Sequence, residues 1–298
     1  MMPNLLDGEV QKRADPDTTF LPDQPTRLPV KAPHINLPDR VTNEMLLSYK
    51  RLGDTVLSQV WQYNEITVLK RCEGASAEAE VAAMRLVRER TSIPVPRTLK
   101  SFKQPECDVS VIFMEYVDGD PLDQAWDTFN QDQKQHIIAQ LRCYLDELRQ
   151  IKGEFIGSVD GSVCCDQIFA NRAHDYGPYE SEEMFRSGII KSLRACDANP
   201  AWTEVVAGFV RAMPKHDGAV LTHGDLVPRN ILVKDGLVAG IVDWEMAGFF
   251  PLYWEYTKAH FFADYEHSWM EEKVLDQILD RFPVELGLLL HTRKIFLY

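Results

Sequence analysis

The sequence predicts an α+β protein of two lobes, in which a small β-rich lobe precedes a larger and mostly helical one. Strand-like runs dominate residues 54–117, a helical period dominates after residue 130, and the change of period falls near 117–122. Two lobes joined in this way leave room for a cleft between them. We therefore divide the chain into a proline-rich arm (1–44), an N-terminal lobe (45–117) and a C-terminal lobe (118–298).

The N-terminal lobe contains three strand-like runs and one helix. The runs are DTVLSQVWQY, EITVLK and DVSVIFMEYV, and each is rich in β-branched or aromatic residues. Between the second and third runs, AEAEVAAMRLVRER keeps Val81, Met84, Leu86 and Val87 on one side, which predicts a helix. The prolines of SIPVPRTL end that helix, because a proline disfavours α geometry in the residue before it.

The proline-rich arm precedes these elements. Seven of the 17 prolines fall within residues 1–40. Because proline fixes φ and lacks an N–H donor, neither a helical nor a strand period survives at that density. The sequence therefore predicts, over residues 1–44, either an extended arm that lies on the body of the protein or a mobile tail.

The C-terminal lobe is read mainly as helices. Asn130 is a predicted N-cap, and the helix after it buries one face. Residues 153–180 are glycine-rich and predicted to be irregular, and helical periods return at 182–195, 201–212 and 269–282. The apolar face of the first helix comprises Ile137, Ile138, Leu141, Tyr144, Leu145, Leu148 and Ile151.

The bulk properties exclude several classes of function. The chain has 32 basic and 45 acidic side chains, a net charge of −13, whereas binding to nucleic acid requires a basic face. The six cysteines form no CxxC pair, and no apolar run approaches the ~20 residues of a membrane helix. The N-terminus also lacks the apolar core of a secretory signal. These features predict a cytoplasmic protein with neither a nucleic-acid nor a membrane partner.

The segment HGDLVPRNILVKDGLVAGIVDWE, residues 223–245, places polar groups at both ends of two apolar strand-like runs. Asp235-Gly236 lies between those runs and predicts a hairpin, because both central residues of a type I′ turn require positive φ. Counting outward from the turn, Leu232 should face Ala239.

The same count places Asn230 opposite Ile241. Asp243 then lies two residues further on, roughly 7 Å along the strand. Each of these residues taken alone is a common turn cap. Together, Asn230 and Asp243 converge at one end of the hairpin with Asp225 just upstream, and Mg²⁺ prefers such oxygen ligands together with substrate phosphates. The pattern therefore predicts a phosphoryl-transfer site.

These motifs resemble those of the aminoglycoside phosphotransferase and choline kinase family. HGDLVPRN is similar to the catalytic loop of that family, and GIVDWEMAGFFPLYWEY to the metal-binding segment of its fungal-type branch. Upstream, EAEVAAMRLVRERTSIPVP resembles the branch's αC helix, and FMEYVDGDPL its hinge between lobes. The resemblance covers about residues 45–285. It implies a protein-kinase-like fold and transfer of the γ-phosphate of ATP to a hydroxyl of a small molecule.

The resemblance also implies roles for the residues of the segment. Asp225 becomes the catalytic base, and Asn230 and Asp243 become Mg²⁺ ligands. His223 becomes a support beneath the loop. Glu245 is either a further acid near the metal or a solvent-facing side chain.

The nucleotide would be held mainly by the N-terminal lobe. By resemblance, Lys70, ending the strand EITVLK, binds the α- and β-phosphates. Glu80 in the next helix holds that lysine, and it is favoured over its rival Glu78. The adenine base would meet main-chain groups of the hinge, which comprises Met114, Glu115, Tyr116 and Val117.

Two departures from the family pattern bear on nucleotide affinity and on the class of acceptor. The expected glycine-rich loop over the phosphates has Gly53 as its one glycine in RLGDTVLSQVWQY. Val227 occupies the position where protein kinases carry a phosphate-contacting lysine, which argues against a protein substrate. The alternatives to a small-molecule kinase are an inactive nucleotide-binding pseudokinase and, less favoured, a protein kinase.

Overall fold

The computed structural model describes residues 36–54, 58–73, 77–105, 107–169, 176–196, 199–261, 263 and 267–296. Most of the predicted arm therefore lies outside the described residues. Residues from Leu37 onward belong to one compact unit.

A five-stranded antiparallel sheet forms the N-terminal lobe, with the strand order β1-β2-β3-β5-β4. The nearly continuous apolar run of β5 fits its place inside the sheet between β3 and β4, because its side chains from Val109 to Met114 are all buried. A short helix, α1, precedes the sheet, and α2 packs against it. The elements are α1 (Asn43–Leu47), β1 (Lys50–Asp54), β2 (Ser58–Asn64), β3 (Thr67–Glu73), α2 (Ala77–Arg90), β4 (Thr98–Lys103) and β5 (Val109–Glu115).

The sheet has two strands more than the sequence predicted. The run DTVLSQVWQY contributes to two strands, β1 and β2, with residues 55–57 outside the described part of the chain. The chain also returns to an extended conformation at Thr98 after the prolines that end α2. Strand β3 continues past Lys70 to Glu73, so the prediction that Lys70 ends its strand is wrong. Lys70 instead lies in the middle of a paired strand.

The C-terminal lobe is mostly helical, as predicted. Asn130 caps α4 in a capping box with Gln133, and the predicted apolar face is buried. The helical period predicted at 269–282 is present as two short helices and not as one, because Lys273 adopts a left-handed φ of 52° between them. The helices are α3 (Leu122–Ala125), α4 (Gln131–Gln150), α5 (Glu182–Ala195), α6 (Pro200–Ala212), α7 (Trp254–Phe261), α8 (Ser268–Glu271), α9 (Val274–Ile278) and α10 (Pro283–Phe296).

Short strands in this lobe position the polar segment identified in the sequence. Strands β9, β12, β7 and β8 form one antiparallel sheet, and β10, β11 and β6 form another. The strands are β6 (Asp120–Pro121), β7 (Lys152–Gly153), β8 (Gly157–Ser158), β9 (Ala219–Thr222), β10 (Ile231–Lys234), β11 (Leu237–Ile241) and β12 (Gly248–Pro251).

The β10–β11 hairpin turns at Asp235 and Gly236, with φ values of 52° and 78°. Its predicted register is wrong beyond the turn, because Leu232 pairs with Gly240 and Ala239 is an extra residue in a β-bulge. The bulge shifts the partner of Asn230 from Ile241 to Val242, whose N–H donates to the Asn230 carbonyl at 2.9 Å. Asp243 therefore follows directly on the residue paired with Asn230.

Large aromatic side chains are part of the core of the C-terminal lobe. Four tryptophans, Trp126, Trp244, Trp254 and Trp269, are at most 2% exposed. Trp126 and Trp269 meet edge to face with ring centroids 5.1 Å apart. None of the helices in the described part of the chain has the length and hydropathy of a transmembrane span.

Candidate active site

The loop between β9 and β10 carries His223, Gly224 and Asp225. Gly224 has a φ of 82°, which a residue with a Cβ rarely adopts. A Cβ at this position would also lie 2.6 Å from the carbonyl oxygen of Met246. Glycine is therefore required here on two counts, and it turns the chain so that Asp225 follows the buried end of β9.

His223 lies beneath this loop and is fully buried. Its Nδ1 accepts a hydrogen bond from the backbone N–H of Asp225 at 3.2 Å, so its Nε2 donates to the carbonyl of Val242 at 3.0 Å. The ring thus joins the loop at 223–225 to the residue that precedes Asp243. The family resemblance implied such a position beneath the loop, and a supporting role for His223 stays a prediction.

Glu255 anchors the same loop from helix α7, and sequence reasoning missed it. Its carboxylate accepts hydrogen bonds from the backbone N–H groups of His223 at 2.6 Å and Gly224 at 3.1 Å. Burial raises the pKa of Glu255. The sequence signal for this contact was an acidic residue inside the apolar run PLYWEYTKAH. A carboxylate buried in such a run requires specific hydrogen-bond partners.

Asp225 and Asn230 are in direct contact. The Asn230 Nδ2 donates to the carbonyl and to the Oδ2 of Asp225, both at 2.9 Å. The Oδ1 of Asn230 receives no hydrogen bond from the described residues, so it is open to a cation. Arg229, which the sequence analysis did not single out, donates from Nη2 to Asp225 Oδ2 at 3.1 Å.

Lys70 crosses from the N-terminal sheet to the C-terminal lobe. Its Nζ lies 2.9 Å from Glu80, 2.6 Å from Asp243 and 3.1 Å from Glu245. Glu78, the rival to Glu80, is exposed on α2. The structure thus brings four of the predicted site residues together, and Glu245 faces this cluster and not solvent.

Electrostatics tie this cluster together. Burial opposes the charged form of Lys70, but the surrounding carboxylates outweigh it and hold the lysine pKa well above its usual range. Burial raises the pKa of Glu80 to about 7, with Lys70 acting in the opposite sense. Burial also acts to raise the pKa of Asp243, but Lys70 outweighs it and the net shift is downward. Asp243 itself adopts a left-handed φ of 65°, which is uncommon outside glycine.

The hinge residues are not equivalent. The N–H groups of Glu115 and Tyr116 are bonded to the carbonyls of Arg97 at 3.0 Å and Ile66 at 2.9 Å. The Met114 side chain is buried in the core. The N–H of Val117 makes no hydrogen bond within the described residues, so it is the hinge donor that is free for a ligand.

The Val117 side chain lies against Gly240 of β11. A Cβ on Gly240 would lie 2.8 Å from the Val117 Cγ1. The hinge and the hairpin thus meet in close contact. This contact connects the predicted adenine site to the strand that leads to Asp243.

The described residues contain no group of three or more His, Cys, Asp or Glu side chains arranged to hold a metal ion by themselves. Asn230 and Asp243 supply an amide oxygen and a carboxylate. This pair suits Mg²⁺, which is commonly bound by one or two protein ligands together with phosphate oxygens and water. The donor set therefore fits a metal that enters with a nucleotide.

A β-rich lobe joined to a helical lobe, with an Asp–Asn loop beside a Lys–Glu–Asp cluster, is the arrangement of kinase-like phosphotransferases. The family model described as "Phosphotransferase enzyme family" (APH) matches residues 49–282. The chain therefore belongs to the phosphotransferase enzyme family.

Solved structures with a similar fold include aminoglycoside phosphotransferases. A thermostable mutant of APH(4)-Ia in its apo form aligns with a TM-score of 0.59 and 16% identity over 85% of this chain and 88% of that one. Its ternary complex with AMP-PNP and hygromycin B aligns with a TM-score of 0.56 and 16% identity over 83% of each chain.

The GDP and kanamycin complex of APH(2″)-IIIa aligns with a TM-score of 0.51 and 16% identity, over 84% of this chain and 82% of that one. At these identities the likeness establishes the α+β kinase-like fold alone. A comparison with curated proteins by sequence finds no match.

Proposed function

We propose that this protein transfers the γ-phosphate of ATP to a hydroxyl group of a small molecule, with Mg²⁺ as the metal. The observation that carries the proposal is the Lys70–Asp243 contact at 2.6 Å, which joins the nucleotide-side lysine to the metal-side aspartate. Nucleotide binding belongs to residues 45–117 and acceptor binding to residues 118–298. We place the reaction in the cytoplasm, where ATP and Mg²⁺ are available.

The free N–H of Val117 supports an adenine site at the hinge, because an adenine ring offers acceptor nitrogens to such a donor. Lys70 is the group that would pair with the α- and β-phosphates. To do so it would exchange its contact with Asp243 for one with phosphate oxygens, while Glu80 continues to orient it. Asp243 would then be free to bind the metal.

Bound Mg²⁺ would neutralise charge on the phosphates, held by Asn230 Oδ1 and Asp243. Asp225 accepts the acceptor's hydroxyl proton as the hydroxyl oxygen bonds to the γ-phosphorus. The bond from that phosphorus to the β–γ bridging oxygen breaks, and ADP leaves. Glu255 and His223 hold the loop that places Asp225, and positioning of this kind supplies much of the rate in phosphoryl transfer.

The direct test combines binding with turnover. Mg·ATP should raise the melting temperature of the wild type, and a screen of metabolite extracts should yield phosphorylated alcohols and ADP. Asp225→Asn should lower transfer by about 10²–10⁴-fold, the usual contribution of a general base. Asp108→Asn, an exposed aspartate paired with Lys103, is the matched control and should leave transfer unchanged.

The outcomes separate the alternatives. Full transfer by the Asp225 variant would refute the assignment of the base. Stabilisation by Mg·ATP with no transfer to any acceptor would favour the pseudokinase. Transfer to generic peptides in preference to small alcohols would favour a protein kinase.

A further inference from the structure

Arg229 is the one cationic residue in the loop from Asp225 to Asn230. A single turn of 3₁₀-helix at Pro228–Asn230 folds the chain back, and the N–H of Asn230 donates to the carbonyl of Val227 at 2.9 Å. Both Arg229 and Asn230 thereby reach the carboxylate of Asp225. The Val227 side chain is apolar and buried, so it offers that carboxylate no donor.

The two oxygens of the Asp225 carboxylate are held differently. Oδ2 accepts from Asn230 Nδ2 at 2.9 Å and from Arg229 Nη2 at 3.1 Å. Within the described part of the chain, Oδ1 has only one longer contact, with the same Arg229 Nη2 at 3.4 Å. Because two donors fix Oδ2, the carboxylate is restrained in rotation and Oδ1 is the oxygen left to accept a proton.

Asn230 does not provide this restraint alone. Its Nδ2 is shared between the backbone carbonyl and the Oδ2 of Asp225, both at 2.9 Å. Arg229 therefore supplies the second donor to the carboxylate. Arginine suits this task because its guanidinium is planar and keeps its charge.

The two partners of this ion pair differ in exposure. The Asp225 side chain is 9% exposed, whereas that of Arg229 is 53% exposed. An ion pair with a partner this exposed contributes little to folding stability. Phosphoryl transfer, in contrast, gains most of its rate from positioning and charge. We therefore expect the contact to matter for turnover more than for unfolding.

We propose that Arg229 is a positioning residue, which together with Asn230 holds Oδ2 of Asp225 and so selects Oδ1 as the oxygen that takes the acceptor's proton. This inference rests on the proposed function and assigns a further residue of the same site. In the step, the hydroxyl oxygen bonds to the γ-phosphorus and its proton passes to Oδ1. The bond from that phosphorus to the β–γ bridging oxygen breaks, and ADP leaves. Arg229 stays on Oδ2 throughout.

The kinetic test uses water as the acceptor, so that hydrolysis of Mg·ATP is followed by ADP release. Arg229→Gln should lower kcat by about 10- to 100-fold, the usual effect of losing a hydrogen bond to a charged group, and leave the melting temperature unchanged. Arg229→Lys should recover part of the loss, because it keeps the charge but not the planar fork. Arg194→Gln is the matched control and should leave kcat unchanged, because Arg194 is 52% exposed and pairs with Glu204.

A double-mutant cycle separates positioning from direct contact with the phosphate. The Asp225→Asn variant has no base left to position, so adding Arg229→Gln should change kcat by no more than about twofold. Loss of the same factor in both backgrounds would overturn the inference, because Arg229 would then act on the reacting groups themselves. Weaker binding of Mg·ATP to Arg229→Gln, measured by calorimetry, would overturn it as well.

Crystal structures with Mg·AMP-PNP give a second measurement that needs no turnover. In the wild type Arg229 should remain on Oδ2 of Asp225, and in Arg229→Gln the carboxylate should turn away from its wild-type position. An Arg229 guanidinium on the γ-phosphate, or an unmoved carboxylate in the variant, would overturn the inference.

The same variants separate this inference from the proposed function. Full turnover by Asp225→Asn, or no thermal shift of the wild type with Mg·ATP, would contradict both. Loss of turnover in Asp225→Asn together with the wild-type kcat in Arg229→Gln would overturn the role of Arg229 alone.

Discussion

Replacing Lys70 by methionine isolates the charge at the centre of the site. The lysine is 2% exposed and lies within 3.1 Å of three carboxylates. Lys70→Met would leave Glu80, Asp243 and Glu245 facing one another with no cation between them. Removing one partner of a buried ion pair costs about 3–5 kcal/mol, and domains are stable by only about 5–15 kcal/mol.

This loss should depend on pH. Burial raises the pKa of Glu80 to about 7 even beside Lys70, and the variant lacks that lysine. A carboxyl group whose pKa is raised in the folded state contributes stability below its unfolded pKa and loses it as the pH rises through the folded pKa. The deficit of Lys70→Met relative to the wild type should therefore be smaller at pH 5 than at pH 7.

Urea unfolding at pH 5 and pH 7 measures the loss of stability and its dependence on pH. A thermal shift with Mg·ATP reports nucleotide binding. Lys258→Met is the matched control, because Lys258 is equally buried and lies 2.8 Å from Asp166. Both variants should lose stability at pH 7, but Lys70→Met alone should lose the Mg·ATP shift. A stability within about 1 kcal/mol of the wild type at pH 7, or a retained shift, would refute this reasoning.

Three further predictions concern the loop and the hinge. Glu255→Ala removes the acceptor for two buried N–H groups and should lower kcat by about 100-fold, because the loop would be misplaced. Glu285→Ala, at a buried glutamate that contacts His216, should lower stability without lowering kcat. Equal kcat values for the two variants would contradict this prediction. Gly224→Ala should fail to give a stable, active enzyme in unfolding and transfer assays, because its Cβ would lie 2.6 Å from a backbone oxygen at a φ of 82°. Val117→Pro removes the free hinge N–H, so calorimetry should show about tenfold weaker binding of ATP, and an unchanged affinity would place the adenine elsewhere.

The sequence was most informative where a local pattern determines the structure. The Asp235-Gly236 turn and the Asn130 cap depend on backbone chemistry within a few residues, and both are present. The ion pair between Lys70 and Glu80, which the family resemblance implied, is present at 2.9 Å.

The sequence was least informative where a distant contact decides. The bulge at Ala239 depends on how β11 packs, and it moves Asp243 one position nearer to Asn230 than the turn alone predicts. Glu255 acts through backbone groups 31 and 32 positions away in the chain. The periodicity of a single sequence does not predict contacts between residues so far apart in the chain.

The hinge shows a third kind of limit. The family resemblance implied that the main-chain groups of Met114 to Val117 together bind the adenine. Pairing of the strands commits the N–H groups of Glu115 and Tyr116 to other carbonyls, and leaves that of Val117 free. The register of the sheet determines which backbone N–H group is available to a ligand, and packing determines that register.

A crystal structure with Mg·AMP-PNP tests the central claim most directly. We predict a metal ion bound by Asn230 Oδ1 and Asp243 beside Asp225, with Lys70 on a phosphate oxygen and the adenine at the Val117 N–H. A nucleotide bound elsewhere, with Lys70 still on Asp243 and no metal between Asn230 and Asp243, would contradict it.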